Sequence, residues 1–211
     1  MLTAYVRSGQ TLIRKVINLR AELPPDAAWI DLNSPTEQER NWVREQFNQE
    51  LQFIEELGEI EASSRYYRDQ TGLHINLYFL LQENNRARNV NVAFTLNNNR
   101  LFTLRTDELP EIRTFSTQRV KDASDYPSAA SLLLGLVAAR VSLMADVLQK
   151  LQADLDVVTA FIVRRTHVTQ GQYRMSHFNS FLENLKNNMV QILDLFVMEK
   201  DNMHLVINGN G

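Results

Sequence analysis

The stretch GLHINLYFLLQE, residues 72–83, constrains the fold more than any other part of the chain. Leu73, Ile75, Leu77, Phe79 and Leu81 fall on one side of an extended backbone, with His74, Asn76, Tyr78, Leu80 and Gln82 on the other. Successive side chains of a strand point to opposite faces, so this segment reads as a strand with one wholly apolar face and needs partner strands. The segment NVAFTLNNNRLFTLRTDELPEIR, 91–113, offers two. Val92, Phe94 and Leu96 alternate with Ala93 and Thr95, and Phe102 and Leu104 with Leu101 and Thr103. Asn97, Asn98 and Asn99 between them predict a tight hairpin, because asparagine tolerates the left-handed backbone such turns demand. Thr106 or Asp107 is placed to cap a helix beginning near Leu109 and Pro110, where proline's missing N–H costs nothing.

The same alternation marks MLTAYVRS and TLIRKVINL as strands around Gly9, and AAWIDL as another. NSPTEQERNWVREQF follows, with Ser34, Pro35 and Glu37 predicting a capping-box start to a helix. Strands on both sides of helical segments, some in antiparallel hairpins, imply a mixed sheet covered by helices over residues 1–127.

Residues 128–211 change period. Leu134, Val137, Val141, Met144, Leu148, Leu151, Leu155, Val158 and Ile162 are spaced three and four apart, which predicts one long helix with these residues on a single stripe. After the polar stretch RRTHVTQGQYRMSH, the residues Phe178, Leu182, Leu185, Met189, Ile192 and Phe196 repeat the spacing and predict an antiparallel return helix. The expected fold is therefore α+β: a helix/mixed sheet/helix sandwich at 1–127, followed by a long antiparallel helical hairpin at 128–211.

Composition narrows the chemistry. A formal charge of −3, from 22 basic and 25 acidic residues without a long block of either sign, argues against a nucleic-acid binder. Arg86 and Arg88 are a pair, not a patch. The absence of cysteine excludes disulfides, thiolate nucleophiles and Cys-ligated zinc. The longest continuous apolar run, Leu132 to Ala139, is shorter than a membrane crossing requires, so the chain reads as soluble. His74, His167, His177 and His204 are scattered outside any zinc-ligand spacing, and no glycine-rich phosphate loop or nucleophile elbow occurs. Glu55, Glu56, Glu59 and Glu61, close to Arg65, read as a solvated helix face rather than an acid/base pair. An enzyme is not expected.

Taken in order, three segments resemble the cytoplasmic N-terminal part of the CorA magnesium transporter family. WIDLNSPTEQER is similar to its Trp-Ile-Asp-Leu and acidic capped helix. LGEIEASSRYYRDQTGLHINLYFLLQEN and VAFTLNNNRLFTLRTDELPEIR resemble the strand, hairpin and helix that follow. The resemblance is dense from about residue 28 to residue 115. It implies a regulatory domain on the cytoplasmic side of the inner membrane, assembled with itself as a homopentameric funnel and reaching the membrane through a C-terminal part absent from these 211 residues. It further implies Mg²⁺ as the regulatory and transported ion, with Co²⁺ or Ni²⁺ as alternatives, bound between subunits to hold a pore closed. The family's sensing carboxylate falls at Glu83 or, one residue later, at Asn84, and Asp154 and Asp156 on the long helix are further acidic candidates. Hard Mg²⁺ prefers carboxylates and retained waters, in keeping with this donor set. A related zinc transporter's cytoplasmic domain and a free-standing interaction module are the alternative readings.

Overall fold

A computed structural model describes residues 1–20, 25–51, 66–83, 86–119 and 123–165, together with the helical positions Ser180, Glu183, Asn184 and Asn187. Its strands are β1 (Leu2–Ser8), β2 (Thr11–Val16), β3 (Ala27–Asn33), β4 (Tyr66–Asp69), β5 (Gly72–Glu83), β6 (Arg86–Asn97) and β7 (Arg100–Arg105). Helix α1 (Glu37–Phe47) follows β3, and α2 (Pro110–Thr114) and α3 (Ala129–Arg165) follow β7. The strands form one sheet in the order β2-β1-β3-β7-β6-β5-β4. Every pairing is antiparallel except β3 with β7, so the sheet is mixed, as its sequence pattern implies.

The hairpins form where the turn residues allow. Asn98 and Asn99 both adopt left-handed backbone, φ 46° and 59°, as the tight β6–β7 turn requires. The short strand β4, which alternation alone does not reveal, is held by an Asp69 turn. The Asp69 Oδ1 accepts both the Thr71 N–H and the Thr71 hydroxyl at 2.7 Å, folding the chain back so that Asp69 faces Gly72.

The two faces of the sheet carry separate cores. Tyr5, Trp29, Leu77, Phe79, Val92 and Phe94 face Leu109, Ile112 and Phe115 of the α2 segment and Leu132, Leu133 and Leu136 of α3. On the opposite face, Ile30, Leu32, Phe102 and Leu104 meet Trp42 and Val43 of α1. A third cluster closes the far end of the β5–β6 ribbon, where Leu80 and Ala87 meet Met144, Val147 and Leu151 of α3. This is a helix/sheet/helix sandwich from which a 37-residue helix departs.

Four expectations change. The capping box of α1 uses Thr36 and Glu39, not Ser34 and Glu37. Ser34 is drawn out of the cap by tertiary bonds, its N–H donating to the Arg105 carbonyl and its hydroxyl to the Thr106 carbonyl. Neither Thr106 nor Asp107 caps α2, whose N-cap is Leu109 without a side-chain bond. Asp107 is engaged instead by Arg88 and Thr106. The stripe on α3 holds in part, with Met144 and Leu151 buried and Val137, Leu148 and Leu155 packed against the core, but it is displaced at Leu134 and Val141. Leu134 and Val141 are 65% and 40% exposed, whereas Leu132, Leu136, Ala139 and Val147 are buried. A helix turning every 3.6 residues does not hold a 3.5-residue seam against a sheet, and the sheet selects its own face. Finally, Ala129–Val158 has mean hydropathy 1.8 and is long and apolar enough to cross a membrane by length and composition alone. One third of that window is buried, where the helix packs on the sheet beside Trp29 and Phe115 and on the ribbon beside Leu80 and Ala87. The return helix at 178–196 lies outside the described residues apart from four helical positions.

Candidate functional site

The segments most suggestive in the sequence converge first on a structural lock. Parallel pairing of β3 and β7 sets Asp31 beside Thr103 and Asn33 beside Arg105. The Asp31 carboxylate accepts the Thr103 hydroxyl at 2.6 Å on Oδ1, Arg105 Nε–H at 3.1 Å on Oδ1, and Nη2–H at 2.8 Å on Oδ2. Trp29 Nε1–H donates to Thr103 Oγ1 at 3.1 Å. Arg105 also donates to the Asp107 carbonyl and to Glu108, 3.2 Å away, which accepts in turn from Asn33. Burial works against the Arg105 charge, but the Asp31 and Glu108 carboxylates outweigh it and hold the guanidinium pKa above its usual value. With both Asp31 oxygens engaged and the pair 3% exposed, this arrangement fastens β3, β7 and the segment leading into α2 together and leaves no donor for a metal.

A second, open constellation lies at the ribbon tip, where β5 ends in Glu83 and β6 begins with Arg86. The register places Glu83 across from Arg86 and Leu81 across from Arg88. Arg88 reaches along the strand to Glu83, Nε to Oε2 3.7 Å, and donates a hydrogen bond to Asp107. The bond from Arg88, reinforced by the Thr106 hydroxyl against the effect of burial, holds the Asp107 pKa below the usual carboxylate range. The Asp107 bond in turn raises the Arg88 pKa. The Glu83 side chain is 60% exposed. With Arg86, Ala87, Arg88 and Asn187, it lines a cavity of about 570 Å³.

The long helix approaches the same end of the ribbon. Leu151 and half-buried Leu155 pack with Leu80 and Ala87, so the turn carrying Asp154 belongs to the helix that closes the tip. Asp154 is half-buried and Asp156 exposed, while Asn84 lies outside the described residues. Among the described residues, no three His, Asp or Glu side chains gather closely enough to hold a metal within one chain. His74 is committed to structure. Its Nε2 lies 3.1 Å from Asp69 and 3.0 Å from Thr71, its Nδ1 lies 3.1 Å from Thr95, and its ring stacks on Tyr67 at 4.5 Å. The Thr71 hydroxyl, more than the histidine, draws the Asp69 pKa down to about 2. The other three histidines and the Glu55–Glu61 cluster lie outside the described residues.

Sequence reasoning missed Glu111. It sits in the first turn of α2, where an acidic residue looks like an ordinary partner of the helix dipole. It is instead 4% exposed, and neither carboxylate oxygen finds a hydrogen-bond partner among the described residues. Burial pushes its pKa up to about 7, against the opposing charge of Arg140 on α3. Arg140 is itself buried, its guanidinium 5.6 Å from the centre of the Phe79 ring.

Comparison with known proteins gives this geometry a family context. A family model described as "CorA-like Mg2+ transporter protein" matches residues 26–203. The magnesium transport protein CorA of Salmonella typhimurium is 35% identical over 164 residues, covering 77% of this chain and 52% of that protein. Its counterpart in Haemophilus influenzae is 37% identical over 142 residues, covering 65% and 44%. The chain thus spans about half the length of the curated relatives it matches. Among solved structures, the full-length CmaX protein superposes with a TM-score of 0.64 at 13% identity, covering 99% of this chain and 70% of that one. The ZntB cytoplasmic domain from Vibrio parahaemolyticus gives 0.50 at 14% identity, covering 98% of each chain. At those identities the structural likenesses establish the fold alone.

Proposed function

Because the chain belongs to the CorA-like Mg²⁺ transporter family, we propose that it is the cytoplasmic regulatory domain of a divalent-cation channel, with Glu83 as its Mg²⁺-sensing carboxylate. The observation that supports this reading best is the placement of Glu83. It is an exposed carboxylate at the open end of a long strand, on the ribbon whose Leu80 and Ala87 pack against Leu151 of α3. Oxygen donors of this kind suit a hard cation that retains part of its water shell. Glu83, or Asn84 through its amide oxygen one residue later, offers one such donor, and Asp154 and Asp156 are further acidic candidates. A second subunit completes the coordination in a homopentameric ring on the cytoplasmic side of the membrane. Co²⁺ and Ni²⁺ are alternative transported ions.

The mechanism follows from linkage. An ion that binds only when two subunits are adjacent stabilises the assembled ring by RT ln(1 + [Mg²⁺]/Kd), about 1.4 kcal/mol per site at tenfold excess over Kd. Five such sites together contribute about 7 kcal/mol, more than the roughly 5.5 kcal/mol needed to invert a two-state equilibrium from 1:99 to 99:1. Weak, millimolar sites therefore suffice to hold a pore closed, and loss of Mg²⁺ releases it. Helix α3 transmits the change, and its first turns are built into the core of the body, where Leu132, Leu133 and Leu136 share a cluster with Trp29 and Phe79.

The test is protease protection of the full chain across a Mg²⁺ titration. Wild type becomes resistant as Mg²⁺ rises through the millimolar range, and Glu83→Ala needs several-fold more. Unchanged protection in Glu83→Ala at every Mg²⁺ concentration removes Glu83 from the site.

A further inference from the structure

We propose that Arg88 is an internal competitor for the sensing carboxylate: a built-in cation that occupies Glu83 when Mg²⁺ is low and withdraws to Asp107 when Mg²⁺ binds, thereby setting the concentration at which the site responds. The inference rests on the assignment of Glu83 above and concerns what tunes it.

The geometry carries the argument. One guanidinium spans two carboxylates, and the two contacts are unequal. Arg88 donates a hydrogen bond to Asp107, and Asp107 is itself held in place by the Thr106 hydroxyl, 2.7 Å from its other oxygen. The contact to Glu83 is the long one, 3.7 Å through Nε, between side chains 49% and 60% exposed. Releasing Glu83 therefore leaves Arg88 with its better partner, so no cation is stranded when a metal arrives. A guanidinium and a Mg²⁺ ion cannot both sit against the same carboxylate without repulsion, and the metal's apparent affinity falls by the cost of displacing the arginine. Exposed ion pairs are weak, and the displacement is accordingly expected to change affinity by roughly two- to fivefold. That magnitude suits a sensor, because it shifts the threshold without abolishing binding.

Arg86 provides the internal control. It faces Glu83 directly in the β5–β6 register and lines the same cavity, yet the ion pair formed with Glu83 comes from Arg88. Removing either arginine changes the net charge equally, but among the described residues only Arg88 bridges to a second carboxylate.

The experiment is a Mg²⁺ titration of the full chain, read as the concentration giving half-maximal protease protection, with wild type, Glu83→Gln, Arg88→Gln, Arg88→Lys and Arg86→Gln compared at fixed ionic strength. Melting temperature without Mg²⁺ identifies any variant whose fold is disturbed. The expected pattern is a half-protection point lowered roughly two- to fivefold in Arg88→Gln, restored towards wild type in Arg88→Lys, and lowered less in Arg86→Gln. If Glu83→Gln loses Mg²⁺ sensitivity while Arg88→Gln matches or exceeds the wild-type half-protection point, the competitor role is overturned and the sensing role of Glu83 stands. Equal shifts in Arg88→Gln and Arg86→Gln reduce the effect to general charge and overturn it as well. If Glu83→Gln responds to Mg²⁺ like wild type, both readings fail together.

Discussion

Two arginines in this molecule make the same kind of contact to opposite ends. Arg105 is 3% exposed and locked to Asp31 by two hydrogen bonds within 3.1 Å, while Arg88 is half-exposed and divides itself between Asp107 and a long contact to Glu83. The buried pair has both carboxylate oxygens engaged by hydrogen bonds. The exposed one has an alternative partner and a cavity at its side. Burial turns an arginine–carboxylate contact into a fastening, and exposure leaves it exchangeable, which is what a site answering to a varying ion concentration requires.

The largest effect expected from this contrast is at the buried pair. Arg105→Ala leaves the Asp31 charge without its counter-ion in the core and should destabilise the fold by about 3–5 kcal/mol, measurable by urea denaturation. A loss as small as that of a surface variant would break the comparison. Next, Leu136→Ala should cost about 2–5 kcal/mol and Leu134→Ala within about 0.5 kcal/mol, two leucines of one helix separated only by which face the sheet covers. Equal losses would place the 3.5-residue stripe, not the observed face, against the sheet.

Glu111 sharpens the comparison as a buried carboxylate held by no arginine bond among the described residues. Its pKa of about 7 when folded stands above the ordinary 4.5, so the folded state favours the neutral form. The stability this contributes is complete below about pH 4.5 and is lost as pH rises through 7, a difference on the order of 3 kcal/mol. Glu111→Gln should flatten that slope between about pH 5 and 8 and exceed wild type in stability above pH 7. A slope unchanged by the substitution would show that Glu111 does not titrate in that window. The smallest stability effect is expected at Arg88→Gln, within about 1 kcal/mol, because an exposed ion pair contributes little to the fold.

Much of this architecture is written in local pattern. The alternation in β5 and β6 fixes their apolar faces, and Asn98 and Asn99 fix the turn that follows, because those signals depend only on neighbours in the chain. The errors arise where a residue has a distant competitor. Ser34 looks like a helix cap until the Thr106 carbonyl claims its hydroxyl, and Asp107 looks like one until Arg88 claims it. On α3 apolar residues occupy more than one face, so spacing alone does not reveal that Leu132 and Leu136 are chosen over Leu134 and Val141. Glu83 is legible as a strand-end carboxylate. Its ion pair with Arg88 is not, because five positions in sequence become neighbours only after the β5–β6 register is set. Glu111 gives no local signal, since its burial depends on α3 crossing above it.

The measurement that tests the account most directly is light scattering of wild type and Glu83→Ala across a Mg²⁺ titration. The account predicts a five-subunit assembly that Mg²⁺ stabilises in wild type and that requires several-fold more Mg²⁺ in the variant. An assembly state that does not respond to Mg²⁺, or that responds identically in the two proteins, would contradict it.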